Sequence, residues 1–353
     1  MQAAPATLVC YVPVVLLLTL FSGCGSSRSS VGTPPPKAPK GASSVYILQQ
    51  GNPYLINPTL SYVLQFSATA EGAATPVSML SLPTAFVAYS VAVDSTGQIY
   101  VGGSQESLDT MLQKPEILVY AADSSGTPEP LRTIEPGSNG LPVSLAVDSS
   151  GQLYVANTMS TNNNIAVYSS TANGQAMPIR LIQGALTQIN NLESLTIDAT
   201  GNIYATAQTN ANTPPGLLLV FPSSANGNVA PARVLTNASG IFNGVAVDSG
   251  LNVYAVEEFA TGTNAAIVEF AAGASGAATP IRSISGPATD IGIPGGLRSD
   301  NAGNLFVTNE LVTSKSISFS VLGFNSVASG NIQPTIQFSS TEWTAGAPEL
   351  ALQ

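Results

Sequence analysis

Three observations predict an all-β fold: a punctuation repeated six times, turn aspartates at near-constant spacing, and two incomplete chain ends that complement each other. The punctuation is an aromatic residue, a glycine six positions later and a proline four after that. It reads Phe66/Gly72/Pro76, Tyr120/Gly126/Pro130, Tyr168/Gly174/Pro178, Phe221/Gly227/Pro231, Phe270/Gly276/Pro280 and Phe324/Gly330/Pro334. Spacing this regular means one supersecondary unit copied six times, and units that cannot bury a core alone must stack.

Each element of the unit has its own signal. Val91-Ala92-Val93 and Ile99-Tyr100-Val101 are short β-rich runs flanking Asp94-Ser95-Thr96-Gly97, a turn in which the carboxylate bonds the backbone and glycine takes a left-handed conformation. The pattern recurs at Asp148, Asp198, Asp248 and Asp300, and in the copy at Asp248 the glycine, Gly250, comes one place early. These aspartates read as turn formers rather than calcium ligands. A third run follows, such as Ile117 to Tyr120, then the Gly-x-x-x-Pro connection and a fourth run, Leu131 to Ile134. Proline lacks a ladder donor, so it opens an outer, edge strand. Each copy is a four-stranded antiparallel meander.

The turn aspartates lie 54, 50, 50 and 52 residues apart, which suits one four-stranded propeller blade per copy. The first copy starts at its second strand, Ser44 to Leu48, and the last segment, Glu349 to Gln353, matches the first strand Ser144 to Asp148 and stops. A C-terminal strand that completes the N-terminal blade closes the ring and removes the exposed sheet edges. The expected fold is a six-bladed β-propeller over 42–353.

Upstream, Thr7 to Phe21 is an apolar run that ends in Phe21-Ser22-Gly23-Cys24. It falls short of the ~20 residues a membrane-crossing helix needs and reads as an export signal over 1–23. The segment resembles a bacterial lipobox, which implies that Cys24 is lipidated and anchors the chain to a membrane of the bacterial envelope. Residues 24–41, rich in Ser, Gly and Pro, read as a flexible tether. The other cysteine, Cys10, lies in the segment that would be removed, so the mature chain would carry no disulfide.

Composition excludes several function classes. With 10 basic against 20 acidic residues the chain lacks the clustered Lys and Arg that a phosphate backbone requires, so nucleic acid is not an expected partner. It contains no histidine, which removes the commonest general base and the commonest transition-metal ligand. Only 8% of residues are charged, so the surface is largely Ser, Thr, Asn, Gln and Gly.

The runs Thr196-Ile197-Asp198-Ala199-Thr200-Gly201-Asn202-Ile203-Tyr204 and Leu145 to Ala156 resemble the NHL-repeat family of propellers, and the likeness extends over about 41–353. The Asn-His-Leu triplet that names the family is missing. The resemblance implies a scaffold that presents loops for protein or ligand binding, with enzymology in some members.

Function is expected on the face where the loops joining strands two to three, and blade to blade, collect. Those loops differ most between copies and carry Asp109, Asn162, Asn163, Asn190, Glu193, Asn243, Glu258, Asp290, Trp343 and Glu349. Carboxylates and amides are oxygen donors suited to Ca²⁺. Similarity to gluconolactonase-like and paraoxonase-like propellers, which hold a divalent cation in the channel, makes Glu193, Asn243 and Glu349 the metal candidates. Arg298 stands where the other copies have Ala92, Ala146, Thr196, Ala246 and Ala351, so a guanidinium enters a row of small side chains. It needs a partner, for which Asp290, Glu349 or a bound anion qualify. Arg132, Arg180, Arg233 and Arg282 recur on outer strands and read as surface or blade-packing residues. Two classes remain: a monomeric, tethered, non-catalytic scaffold for an envelope protein or glycan, without a cofactor, and a Ca²⁺-dependent hydrolase or lyase of the lactonase type.

Overall fold

Six glycines explain the sixfold punctuation. In the computed structural model Gly72, Gly126, Gly174, Gly227, Gly276 and Gly330 all have positive φ, between 60° and 74°. Each pairs in parallel with the outermost strand of the preceding blade, through Phe338↔Gly72, Leu80↔Gly126, Ile134↔Gly174, Ile182↔Gly227, Leu235↔Gly276 and Ile284↔Gly330. A Cβ at any of these positions would meet nothing within 4 Å, so glycine is required by the backbone conformation and not by crowding. Immediately after the proline the outer strand begins, as where Leu131 N–H donates to Val119 O at 2.7 Å.

The structure describes residues 43–51, 59–107, 113–158, 163–210, 213–237, 240–259, 265–313, 316–343 and 349–353. The export signal 1–23, Cys24 and the tether 24–41 lie outside the described residues, as do Asp109 and Asn162. The second to sixth blades begin at the innermost strands Phe86–Val93, Leu141–Val147, Leu192–Ile197, Gly240–Val247 and Ile293–Ser299. The first blade takes its innermost strand, Leu350–Leu352, from the end of the chain and continues through Ser44–Gln49, Tyr62–Ser67 and Ser78–Ser81. The ring is thus six four-stranded antiparallel sheets, with Gly72–Ala73 added to the sixth.

Apolar side chains are buried between blades. One cluster joins the first and second blades through Tyr46, Leu48, Phe86 and Val101, and another joins the sixth and first through Phe66, Phe306, Phe338 and Trp343. Four equivalent clusters fill the remaining interfaces. The outer-strand arginines reinforce these contacts. Arg132 donates to Ser170 O at 2.8 Å and Arg282 to Ser326 O at 2.7 Å, each in the next blade, and Arg180 Nη2 donates to Tyr154 Oη at 3.1 Å. The tyrosines in turn donate to the turn aspartates, as Tyr204 Oη does to Asp198 Oδ2 at 3.1 Å. The arginines are therefore blade-packing groups.

The aspartate turns form as their sequence implies. Asp94 Oδ1 accepts the backbone N–H of Thr96 at 2.8 Å and of Gln98 at 3.0 Å. Gly97, Gly151, Gly201 and Gly303 occupy the left-handed position of four copies, whereas Leu251 occupies it in the fifth, with φ 63°. A branched residue there costs roughly 1–2 kcal/mol. Leu251→Gly is expected to stabilise the protein by about 1 kcal/mol, read as a higher denaturant midpoint at unchanged slope.

Candidate functional site

The Asp-x-x-Gly turns lie on one face of the ring and the longer connections on the other. Between them the innermost strands line a channel whose side chains are set by bulges. Glu193 and Ser194 together oppose Thr206, Asn243 and Gly244 oppose Val256, and Gly295 and Gly296 oppose Thr308. An extra residue re-aims the neighbouring side chains and sharpens the twist. Sequence periodicity does not reveal such bulges, because the alternation on either side of them remains intact.

The bulges divide the three metal candidates between two register positions. Leu350 pairs with Ile47 as Leu145 pairs with Val155 and Leu195 with Ala205. Glu349 is therefore equivalent to Ser144, Ser194, Gly244 and Gly296, and lies one register position after Glu193 and Asn243. A shift of one residue sends side chains in different directions. Glu349 is 3% exposed and reaches across the axis: Ser144 Oγ of the third blade donates to Oε1 at 3.0 Å, and Arg298 Nη2 of the sixth donates to Oε2 at 2.8 Å. Ser144 Oγ also accepts the Leu195 N–H of the fourth blade at 3.0 Å. One carboxylate thus ties three blades together, and Ser144 extends the link to a fourth. Gly296 leaves room for it, since a Cβ there would lie 3.1 Å from Glu349 Oε2 and 2.9 Å from Leu350 N.

Arg298 takes Glu349 and not Asp290 as its partner. Asp290 caps the short 3₁₀ turn Pro287–Thr289 in a left-handed conformation, is exposed, and accepts from Gln337 Nε2 at 3.3 Å. The two residues sit on different parts of the blade. Burial raises the Glu349 pKa, and the Arg298 charge with the Ser144 hydrogen bond pulls it part of the way back.

Glu193 and Asn243 belong to a second group on the loop face. Gln208 Nε2 donates to Glu193 Oε1 at 3.2 Å, and Asn243 bonds the Glu258 carboxylate. Glu193 is exposed, with its carboxylate beside Gln208 and the Glu258 charge. Partial desolvation of that carboxylate, with the Glu258 charge adding to it, pushes its pKa up to about 7. Burial also raises Glu257 and Glu258. A carboxyl whose pKa is higher in the folded state holds more protons there, so stability falls as pH rises from the ordinary 4.5 to about 7. The melting temperature is expected to be higher at about pH 5 than at about pH 8, and Glu193→Gln should reduce that difference.

Both Glu349 oxygens are already hydrogen-bonded, and among the described residues no three acidic, cysteine or histidine side chains converge as a metal-binding group. Trp343, expected on the loop rim, is 4% exposed and stacks on Phe319 with ring centroids 5.8 Å apart.

Two cavities accompany the channel. One, of about 700 Å³, opens on the turn face, with Arg298, Thr196, Ser249 and Asn301 on its walls. The other, of about 790 Å³, is a groove at the loop-face edge between the third and fourth blades. Its walls carry Asn163, Gln183, Gln188, Asn190 and Thr209, with Ile189 and Leu217 as apolar surface. The asparagines of this groove stood among the variable-loop residues, but the glutamines did not, because nothing local marks them.

No family model matches the sequence, and no curated protein matches it. Among solved structures, the chain is similar to a protein of unknown function from Bacteroides caccae at 12% identity and a TM-score of 0.60, covering 88% of this chain and 98% of that one. It is also similar to a Lactobacillus plantarum protein, at 13% identity, TM-score 0.47, covering 88% and 99%. A third is the PQQ-bound aldose sugar dehydrogenase of Streptomyces coelicolor, at 12% identity, TM-score 0.45, covering 78% and 93%. At such identities the likeness is one of fold: the chain is a six-bladed β-propeller.

Proposed function

We propose that this protein is a surface-tethered, NHL-like propeller acting as a non-catalytic scaffold that binds a protein or glycan of the bacterial cell envelope through its loop face, as a monomer held to the membrane by a lipid on Cys24. The observation that carries this reading is the state of the channel carboxylate. Glu349, the acid at the axis, is engaged by Arg298 and Ser144, while the loop-face groove presents neutral amides to solvent. A lactonase-type centre needs the reverse, with acids free to ligate and polarise. The described chain also enters the propeller at Ser43 on the turn face, beside Gln353, leaving the loop face on the opposite side.

A thermal melt tests the reading against the metal-dependent one. After EDTA treatment, restoring millimolar Ca²⁺ is expected to leave the melting temperature unchanged, because only a ligand that binds the native state raises it. A rise of several degrees that disappears in Glu193→Ala would instead establish a calcium site and overturn the scaffold reading.

A further inference from the structure

We infer that the groove between the third and fourth blades is a binding site for a neutral carbohydrate. The inference deepens the scaffold reading and rests on it for the kind of partner. Among the described residues, no side chain lining the groove is charged, in a protein whose formal net charge is -10. An ionic ligand would lose hydration there without finding a counter-charge. A carboxamide both donates and accepts, as a sugar hydroxyl does, so the exposed Gln183 and Gln188 match a polyol rather than an anion or a cation, while Asn163 Nδ2 donates to Asn190 Oδ1 at 3.5 Å and that pair stiffens the wall. Half-buried Ile189 supplies apolar surface for the C–H face of a pyranose, with Leu217 buried in the groove wall. The volume falls within the range of small-ligand sites, roughly 300–1,000 Å³.

The walls are held in place before any ligand arrives. Asn190 Nδ2 donates to Thr209 O at 2.9 Å, Thr187 Oγ1 to Gly184 O at 2.6 Å, and Leu186 N to Asn228 Oδ1 at 2.8 Å. Gln188 sits in the left-handed region at φ 58°, so its backbone is fixed by the turn while its side chain is exposed. Asn163 Oδ1 is withdrawn from solvent with no hydrogen-bond partner among the described residues. The same 3₁₀ turn recurs between the fifth and sixth blades, where Asn331 replaces Asn228 in bonding the turn. There Asp290 occupies the place of Gln188, at φ 55°. One frame thus occurs twice, once with a charge and once without, and the neutral copy is the one assigned to a sugar.

The test titrates the purified protein with glucose, N-acetylglucosamine, maltose and glucuronate, following amide chemical shifts. Saturable shifts of groove residues with at least one neutral sugar, and none with glucuronate, are expected. Ala185→Trp, which fills the groove from an exposed position, and Gln188→Glu, which adds a charge without changing shape, should each weaken binding at least tenfold while leaving the melting temperature unchanged. Failure of all three neutral sugars, binding indifferent to both variants, or a preference for glucuronate overturns the inference. Retention of envelope proteins by the wild-type protein alongside failure of the sugars would sink the carbohydrate site and leave the scaffold standing; absence of both would remove the two together.

Discussion

Deleting Glu349 to Gln353 is expected to lower the melting temperature by well over ten degrees and to promote aggregation, measured by calorimetry and light scattering. The segment supplies the innermost strand of the first blade, pairing Leu350 with Ile47, Ala351 with Tyr46 and Leu352 with Val45. Ser43 N–H and Ser44 N–H both donate to Gln353 O, at 2.6 and 3.1 Å, and Tyr46 Oη donates to Gln353 Oε1 at 2.9 Å. Leu350 is fully buried in the cluster that joins the sixth blade to the first, and Ala351 lies in the cluster that joins the first to the second. Losing a buried leucine costs about 2–5 kcal/mol, and leaving Arg298 without its carboxylate adds about 3–5 kcal/mol. At about 2–4 °C per kcal/mol for domains of ~150–250 residues, a sum of about 5–10 kcal/mol corresponds to about 10–40 °C, and the lost strand hydrogen bonds add to it. An edge on Ser44–Gln49 would also be opened to other chains. A melt unchanged by the deletion would show that the ring does not depend on the terminal strand.

The second large effect concerns the axial ion pair. Arg298→Ala alone is expected to destabilise the protein by about 3–5 kcal/mol, because it leaves Glu349 buried and charged. Adding Glu349→Gln to Arg298→Ala should recover most of that loss, since a neutral amide carries a far smaller desolvation penalty and keeps an acceptor for Ser144. The side chains of the pair are 14% and 5% exposed, so solvent screens them little. Equal stability of the single and double variants would show that the charge of Glu349 is compensated elsewhere. The double-mutant cycle separates the two cases.

The candidate sites were legible in the sequence only in part. Arg298 stands out because five equivalent positions are small, so a buried guanidinium in need of an acid could be anticipated. Its acid could not be singled out, since Asp290 and Glu349 both lie on connections to innermost strands and differ in sequence by nothing that reports direction. The bulges at Glu193–Ser194 and Asn243–Gly244 shift register by one, which separates Glu193 and Asn243, inside their innermost strands, from Glu349, which precedes one. Trp343 lies on one of the variable connections, and a stacking partner, Phe319, which is distant in the sequence, helps to bury it.

What the sequence by itself determined is the ring. Positive-φ glycines, aspartate turns and edge prolines act within a few residues of themselves, so their chemistry is written locally, and sixfold repetition with two complementary ends leaves closure as the way to pair every inner strand. What only the tertiary structure decided is where the chemistry sits. Glu349 meets Ser144 and Arg298 because side chains from the first, third and sixth blades converge at the axis, 205 and 51 residues apart in the chain. The neutral groove exists because connections of two blades come to lie side by side. Contacts of that kind depend on strand register and blade packing, which no local pattern encodes.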